Sequence, residues 1–393
     1  MRRAPLIAAH FISVGLLICY LPLSPSAGIL VLFGRAMYFD SHVHFDQWEA
    51  DGCTDAVIAR ALAAGVERIL AVGGSEASNA AALAAAARFP QQVRAAIGLD
   101  RHEVGNAEVG SRNPSTSLPP SPSGFGEASR AGAEVGLPCE AQTALPSAAK
   151  QGTRSAEIEA GNTEREKELA AQVLDRAVMT GDAESSHICP ELCRRRDRQS
   201  LRQSSRQSLG CGRESAFGES VVAVGEIGLD FHYAPETAEA QVALFRGQLA
   251  QARELGLPVI VHSREADAET LSELRAHAAA WTGAPERIGV LHCFTGGRAF
   301  AEALLNLGFH ISFSGIVTFR NADVLREVAA AVPAERLLME TDSPYLAPVP
   351  MRGQANEPAF LVHVAETLAS VRGCPVDEIA RVTTANAQRL FDG

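Results

Sequence analysis

The sequence predicts an α/β protein whose parallel strands close into a (β/α)8 barrel, the TIM-barrel fold, with one long insertion after the third strand. Eight short apolar runs bounded by turn residues alternate with amphipathic stretches typical of helices. That alternation and that number of strands indicate a closed parallel barrel. With 393 residues, 47% of them hydrophobic, the chain can fill a core of this size. The predicted strands are residues 37–45, 69–72, 93–97, 221–227, 258–262, 288–292, 310–314 and 336–340.

The predicted helices lie between these strands and after the last one. Each combines polar residues with apolar residues at helical spacing, so that one face can pack on the sheet. They are residues 55–64, 78–88, 236–255, 266–280, 299–307, 322–331 and 358–371.

Residues 103–219 interrupt the predicted barrel. Much of this insertion is rich in Ser, Pro, Gly and Arg and lacks periodic apolar residues, which is typical of disorder. Within it, residues 164–179 have the apolar spacing of a helix and are a candidate for a displaced third barrel helix. The basic run at residues 194–206 is expected to be a solvated tract rather than a contact with nucleic acid.

Residues 1–36 are expected to lie outside the barrel, which residues 37–393 form. A basic, an apolar and a small-residue part follow one another there, as in a secretory signal, although His10 and Pro22 make the segment a poor membrane span. A start at Met37 is the favoured alternative. We expect a cytoplasmic protein unless residues 1–36 act as a targeting signal, with no stable membrane partner and no obligate protein partner. The scattered cysteines are expected to be free thiols.

The net charge of −11 argues against a protein that holds nucleic acid on a broad basic surface. It does not exclude a nuclease, because bound divalent cations supply positive charge inside a site. A nucleic-acid substrate would therefore need a local, metal-containing centre.

The polar residues at the predicted strand ends are the candidates for such a centre, because the active site of a barrel lies at the C-terminal ends of its strands. Two of them, His42 and His44, are separated by one residue and share a face of the first strand. Any one of these residues alone is more often a loop or capping residue. Four imidazoles and two carboxylates at one rim match the ligand set of a two-metal hydrolytic centre. The candidate ligands are His42, His44, Glu226, His262, His292 and Asp342.

Two divalent ions need a bridging ligand. The chain has only two lysines, Lys150 and Lys167, and both lie in the insertion, so a modified lysine cannot supply the bridge. Glu226 is the candidate bridge, because its strand lies between those of the two histidine pairs. The ions would be Mg²⁺, Mn²⁺ or Zn²⁺, since sites of histidine and carboxylate accept several metals.

The remaining candidates divide between the two ions. His42 and His44 would hold the first ion, and His262 and His292 the second. Asp342 would complete the first ion and act as general base on the attacking water. Glu226 and Asp342 are therefore the candidate catalytic carboxylates.

Seven short motifs follow one another along the chain: "DSHVHFD", "GEIGLDF", "PVIVHSRE", "LHCFTGG", "ETDSPYLAP", "RGQANEP" and "TTANAQRLF". They resemble the motifs of the TatD family of metal-dependent deoxyribonucleases, in the family's order and spacing. The resemblance covers Met37–Phe391 apart from the insertion and implies a TIM barrel. It further implies a divalent-metal phosphodiesterase acting on DNA, often from the 3′ end. By position it implies the same six ligands.

The chain departs from the family where a Gly-x-His-Pro-His run normally follows the third strand. Asp100 and Arg101 stand in place of the first His and the Pro, whereas His102 remains. In the family this loop faces the substrate, so we expect an altered substrate range with intact metal binding.

Other candidates for substrate contact are the guanidinium groups of Arg264 and Arg352, which can pair with phosphate in a bidentate way. Arg264 could equally form a salt bridge with a barrel helix. Trp48 is a candidate for stacking on a base.

Two other functions fit the same residues. One is a barrel hydrolase of the same metal type acting on small esters, lactones or amides. The other is a non-catalytic barrel scaffold with the insertion as an interaction arm, against which the full set of six ligand types counts.

Overall fold

The computed structural model describes residues 16–18, 32–34, 36–101 and 220–392. Eight parallel strands form a single sheet in which each strand pairs with the next along the chain, so the predicted barrel is confirmed. A separate antiparallel pair is formed by β1 (Leu16–Ile18) and β2 (Leu32–Gly34). The barrel strands are β3 (Tyr38–Val43), β4 (Val66–Gly74), β5 (Val93–Leu99), β6 (Val221–Asp230), β7 (Val259–Arg264), β8 (Gly289–Leu291), β9 (His310–Phe313) and β10 (Leu337–Met339).

The helices follow the predicted order. Two of the predicted helices begin with a short 3-10 turn, Pro235–Thr237 before α4 and Pro358–Phe360 before α8. Two helices, α1 and the C-terminal α9, were not predicted from the sequence. The helices are α1 (Asp46–Asp51), α2 (Thr54–Ala64), α3 (Glu76–Arg88), α4 (Ala238–Leu255), α5 (Asp267–Ala280), α6 (Arg298–Asn306), α7 (Asp323–Ala331), α8 (Leu361–Arg372) and α9 (Val376–Phe391).

The sequences of the strands are continuous apolar runs because both faces of the sheet are covered. β6, for example, is buried along its whole length. The main apolar core lies between the strands and the surrounding helices. A second apolar cluster takes side chains from most of the barrel strands, together with Ala387, Leu390 and Phe391 of α9. Because Phe39, near the start of β3, packs with Phe391 at 6.1 Å between ring centroids, α9 covers the N-terminal end of the barrel.

The barrel closes through the segment that follows β10 rather than through β10 itself. The Asp342 N–H donates to the carbonyl of His42 at 3.1 Å, and the His44 N–H donates to that of Ser343 at 2.9 Å. Val43 and Ser343 form the parallel bridge between these hydrogen bonds. The seam therefore brings the first and last candidate ligands of the chain side by side.

The insertion connects two strands that are neighbours in the sheet. Ala95 of β5 pairs with Val221 of β6. The described residues do not include the insertion at residues 103–219, with the helix expected at residues 164–179, nor His102 and most of residues 1–36. What the sequence predicts for these residues therefore stays a prediction. Among the described helices, none has both the length and the hydropathy needed to cross a bilayer.

Candidate metal centre

The structure brings all six candidate ligands together at the C-terminal ends of the strands. The fold positions each of them, because the carboxyl ends of parallel strands meet at one end of a barrel. Glu226 and Asp342 are buried, as are His42 and His292. His42, Glu226 and His262 lie within β3, β6 and β7, whereas His44, His292 and Asp342 follow β3, β8 and β10.

His42, His44 and Asp342 form one half of the centre. The Nε2 atoms of the two histidines are 3.2 Å apart. Asp342 Oδ1 lies 3.8 Å from His42 Nε2 and 3.6 Å from His44 Nε2. Glu226 Oε2 completes this group at 3.6 and 3.7 Å from the same two nitrogens. Two imidazole nitrogens and two carboxylate oxygens thus face one another around a common point.

His262 and His292 form the other half. His262 Nδ1 lies 3.3 Å from His292 Nε2. Glu226 Oε1 faces both nitrogens, at 3.2 and 3.3 Å. The two oxygens of one carboxylate therefore face different histidine pairs, which is the arrangement that a bridging ligand requires.

The far side of three histidine rings also meets an acceptor. Asp230 Oδ2 lies 3.4 Å from His262 Nε2, and Glu340 Oε1 lies 3.3 Å from His292 Nδ1. His44 Nδ1 faces the carbonyl of Val72 at 3.2 Å. Such partners fix the tautomer and orientation of a histidine whose other nitrogen binds a metal.

The sequence analysis assigned no role to Asp230 or Glu340. Both lie inside the quoted motifs "GEIGLDF" and "ETDSPYLAP", which was the available signal. Glu340 is held in turn by the Cys293 N–H, which donates to its Oε1 at 2.5 Å.

Asp342 has a strained backbone. Its φ of +57° lies in the left-handed region, which costs a residue other than glycine roughly 1–2 kcal/mol. This conformation occurs at the seam, where the Asp342 N–H bonds to His42. The barrel closure therefore stabilises the turn that aims the Asp342 carboxylate at the histidines.

The electrostatics of the centre favour ionised carboxylates. Burial opposes the charge on Glu226, but the facing His292 and the other histidines outweigh it and hold the pKa of Glu226 well below its usual range. Burial is likewise outweighed at Asp342, whose pKa is lowered chiefly by His44. Asp342 and Glu226 in turn overcome the burial of His44 and raise its pKa to about 9. Without a metal, protons on histidines balance the carboxylates.

The donor atoms fit a divalent ion. Three groups of three side chains have their donor atoms within 4.8 Å of one another. Imidazole nitrogen and carboxylate oxygen are ligands that Zn²⁺ and Mn²⁺ accept. The groups are His42, His44 and Asp342; His42, His292 and Glu340; and Glu226, His262 and His292.

Arg101 also reaches the centre. Its Nη1 donates to Glu226 Oε1 at 2.8 Å and lies 2.9 Å from Asp100 Oδ1. This position departs from the family pattern, and the effect on the substrate range expected from that departure stays a prediction. The structure places the Arg101 guanidinium on a candidate metal ligand.

The guanidinium groups of the two other arginine candidates for substrate contact stack on aromatic rings. The Arg264 guanidinium stacks over the ring of Tyr233 at 4.7 Å, and that of Arg352 over Phe319 at 4.1 Å. The expectation that Trp48 stacks on a base is wrong. Trp48 is buried in α1 against Phe45, where a base cannot reach it.

Comparison with known proteins identifies the group to which these features belong. The profile of the family described as TatD related DNase matches residues 39–138 and 204–392, which is most of the chain. The chain belongs to the TatD-related DNase family. The resemblance noted in the sequence is thereby confirmed.

Curated relatives match a little under half of the chain. An uncharacterized metal-dependent hydrolase, YcfH of Escherichia coli (strain K12), is 55% identical over 179 residues, which are 46% of this chain and 66% of that protein. YabD of Bacillus subtilis (strain 168), described in the same words, is 41% identical over 47% of this chain and 71% of its own length. The matched part thus spans about two thirds of these relatives.

One relative carries a more specific name. The 3′-5′ ssDNA/RNA exonuclease TatD of Erwinia amylovora is 44% identical over 176 residues, which are 44% of this chain and 66% of that protein. Among solved structures, the TatD homologue YJJV of Escherichia coli K12 superposes with a TM-score of 0.58 at 26% identity, over 91% of this chain and 99% of that one. The chain is therefore similar to metal-dependent hydrolases and to a TatD homologue that has the same barrel.

Proposed function

We propose that the protein is a metal-dependent phosphodiesterase that degrades DNA from the 3′ end. The observation that carries the proposal is the position of Glu226, whose two oxygens face two separate pairs of histidines. A carboxylate placed in this way suits two divalent ions roughly 3.5–4 Å apart, which would polarise the phosphate and lower the pKa of the attacking water.

Six of the residues would bind the two ions, and two more would orient histidine rings. His42, His44 and Asp342 would hold one ion together with Glu226 Oε2, and His262 and His292 the other together with Glu226 Oε1. Asp230 and Glu340 would keep the rings of the second pair aimed at the centre, because each faces the far nitrogen of one ring.

Asp342 is the proposed general base. Its lowered pKa keeps the carboxylate ionised near neutral pH, so it can accept a proton. As the water oxygen bonds to phosphorus, its proton would pass to Asp342, and the bond from phosphorus to the leaving sugar oxygen would break. The left-handed backbone of Asp342 belongs to the turn that holds this carboxylate beside His42 and His44.

Contacts at the rim support a single-stranded substrate. Tyr233 is 45% exposed with Arg264 stacked on its ring, and Tyr345 is 47% exposed beside His44. Exposed aromatic faces and a guanidinium can bind unpaired bases and a phosphate. The name of the Erwinia amylovora relative, a 3′-5′ ssDNA/RNA exonuclease, points to the same class of substrate.

A nuclease assay tests the proposal. Single- and double-stranded DNA labelled at either end would be incubated with the purified full-length protein and Mg²⁺, Mn²⁺ or Zn²⁺. We expect label at the 3′ end of single strands to be released first, and Glu226→Gln and Asp342→Asn to lose at least about a hundredfold in rate. Glu239→Gln, an exposed carboxylate of α4, is the matched control and should retain the rate.

Two outcomes would contradict the proposal. Full activity in both site variants would exclude these residues from the reaction. Turnover of esters or lactones without cleavage of any phosphodiester would make the protein a small-molecule hydrolase on the same centre.

A further inference from the structure

Arg101 is a buried cation inside the candidate metal centre. Its side chain is 12% exposed, and three carboxylates surround it. Nη1 lies 2.8 Å from Glu226 Oε1 and 2.9 Å from Asp100 Oδ1, and Nε lies 3.5 Å from Asp230 Oδ2. Burial alone would lower the pKa of Arg101, but Asp100, Glu226 and Asp230 outweigh it and raise the pKa further, so the guanidinium is charged.

The guanidinium engages only one half of the centre. The oxygen that it contacts, Glu226 Oε1, is the one that faces His262 and His292. Asp230, the carboxylate behind His262, is its neighbour as well. On the other side, Asp342 has His42 and His44 at salt-bridge distance, and within residues 36–101 and 220–392 no arginine or lysine joins them there.

We propose that Arg101 competes with the metal for the His262 and His292 half of the centre, so that the two halves take up divalent ions with unequal affinity. This inference rests on the part of the proposed function in which the six residues bind metal, and not on the identity of the substrate. The half formed by His42, His44 and Asp342 fills first. The other half fills only when Nη1 leaves Glu226 Oε1.

The competition has a simple physical origin. A ligand oxygen lies about 2.0–2.2 Å from a bound Zn²⁺, so an ion shared by Glu226, His262 and His292 would lie close to the guanidinium on the same oxygen. Two cations at that separation repel strongly in a buried site. Arg101 therefore has to move away, and Asp100 offers a partner outside the centre that keeps it nearby.

The position follows from the local sequence. Arg101 comes directly after Asp100, whose N–H donates to the carbonyl of Gly74 at 2.6 Å and ties the end of β5 to β4. The family pattern noted above has Pro at the position of Arg101, and proline carries no charge. The competition would thus be a property of chains with a cation at this position.

Calorimetric titration of metal into the full-length protein tests the inference. Protein stripped with EDTA would be titrated with Mn²⁺ and separately with Zn²⁺, and bound metal would be counted by elemental analysis. In the unmodified protein we expect two binding events whose dissociation constants differ by at least about tenfold, because of the repulsion at one half.

Three variants separate charge from structure. Arg101→Gln should tighten the weaker event about tenfold or more and leave the tighter event within about threefold, because it removes only the positive charge. Arg101→Lys keeps the charge and should behave like the unmodified protein. Arg68→Gln, which removes an arginine that pairs with Asp392 directly after α9, at the end of the barrel away from the centre, is the matched control.

The tighter event in each variant reports that the centre is folded. The inference is overturned if Arg101→Gln leaves the ratio of the two dissociation constants unchanged, if it abolishes both binding events, or if it binds only one ion. If the titrations behave as expected and no phosphodiester is cut, the proposed substrate is wrong and the inference about Arg101 stands. Nuclease activity with no effect of Arg101→Gln on either affinity overturns the inference alone.

Discussion

Thr341 donates two hydrogen bonds to the carboxyl group of Asp40, its N–H to Oδ1 at 2.9 Å and its hydroxyl to Oδ2 at 2.6 Å. Both residues are fully buried. Asp40 lies in the first barrel strand and Thr341 directly precedes Asp342, so this pair joins the ends of the barrel beside the candidate metal centre. Asp40, which stands next to the histidine motif in the sequence, therefore acts as a structural residue of the seam.

Removing the Asp40 carboxyl group should open this seam. Asp40→Ala leaves the Thr341 N–H buried without its acceptor and removes one partner of the Thr341 hydroxyl, which keeps Ser343 Oγ at 2.7 Å. We expect a loss of about 1–3 kcal/mol in the free energy of unfolding. Asp40→Asn keeps one carbonyl oxygen and should cost less. Urea denaturation of the metal-free protein measures both values. Equal stability of Asp40→Ala and the unmodified protein would refute the role of this pair.

The side-chain amide of Asn79 holds the end of β5 through a pair of hydrogen bonds like those between neighbouring strands. Its Nδ2 donates to the carbonyl of Gly98 at 2.9 Å, and its Oδ1 accepts from the Gly98 N–H at 3.1 Å. A Cβ atom on Gly73 would overlap that same Oδ1. We expect Gly73→Ala and Asn79→Ala each to cost about 2–3 kcal/mol of stability.

The two changes should not be additive. Asn79→Ala removes the atom with which a new Cβ collides, so the double variant should lose at least about 0.5 kcal/mol less than the sum. A thermodynamic cycle from urea denaturation gives this coupling energy. If the two losses in free energy are strictly additive, the Asn79 amide and a methyl group at position 73 do not collide.

His277 should make the protein sensitive to mild acid. Burial, and then the charge of Arg253, lower its pKa to about 4. The folded protein therefore resists a proton that the unfolded chain binds below about pH 6.5. The stabilisation is complete above pH 6.5 and is lost as the pH falls from 6.5 towards 4, by about 2–3 kcal/mol at pH 4.5.

The variant His277→Gln tests the sign of this effect. Glutamine can accept a hydrogen bond from Arg253, as His277 Nδ1 does at 3.1 Å, and it has no proton to gain. We expect the difference in unfolding free energy between pH 7.5 and pH 4.5 to shrink by about 2–3 kcal/mol relative to the unmodified protein. If this difference is the same in both proteins, His277 takes up its proton as readily in the folded protein as in the unfolded chain.

Divalent metal should stabilise the protein through the same six residues. An ion present at a hundred times its dissociation constant adds about 2.7 kcal/mol to the free energy of unfolding. EDTA should therefore lower the melting temperature, and Mn²⁺ or Zn²⁺ should restore it. His44→Gln should lose most of this increase, whereas the exposed Glu239→Gln should keep it. A full increase in His44→Gln would place the stabilising metal elsewhere.

The barrel and the six candidate ligands could be predicted because both follow from local patterns. The strands are apolar runs buried on two faces, and their C-terminal ends must meet at one end of the barrel. That rule alone places His42 and Asp342 together, although 299 residues lie between them in the sequence. No assumption about side-chain packing was needed.

What could not be predicted depends on which way individual side chains turn. Asp230 and Glu340 lie in the same motifs as the ligands, but their sequence does not indicate that each faces the far side of a histidine ring. Arg101 reaches Glu226 because β5 and β6 are neighbours and its long side chain turns inward. Trp48 was a candidate for stacking because it follows the first histidine motif, and α1, which buries it, is only six residues long and gives no periodic signal of burial.

The most direct test of the central claim is a crystal structure of the protein soaked in Zn²⁺ or Mn²⁺, with diffraction data collected at the absorption edge of the metal. The account predicts one strong anomalous peak among His42, His44, Asp342 and Glu226. It predicts a second, weaker peak among Glu226, His262 and His292, with Arg101 turned away from Glu226 wherever that peak is occupied. Metal bound only at other surfaces, with no peak among these six residues, would contradict the account.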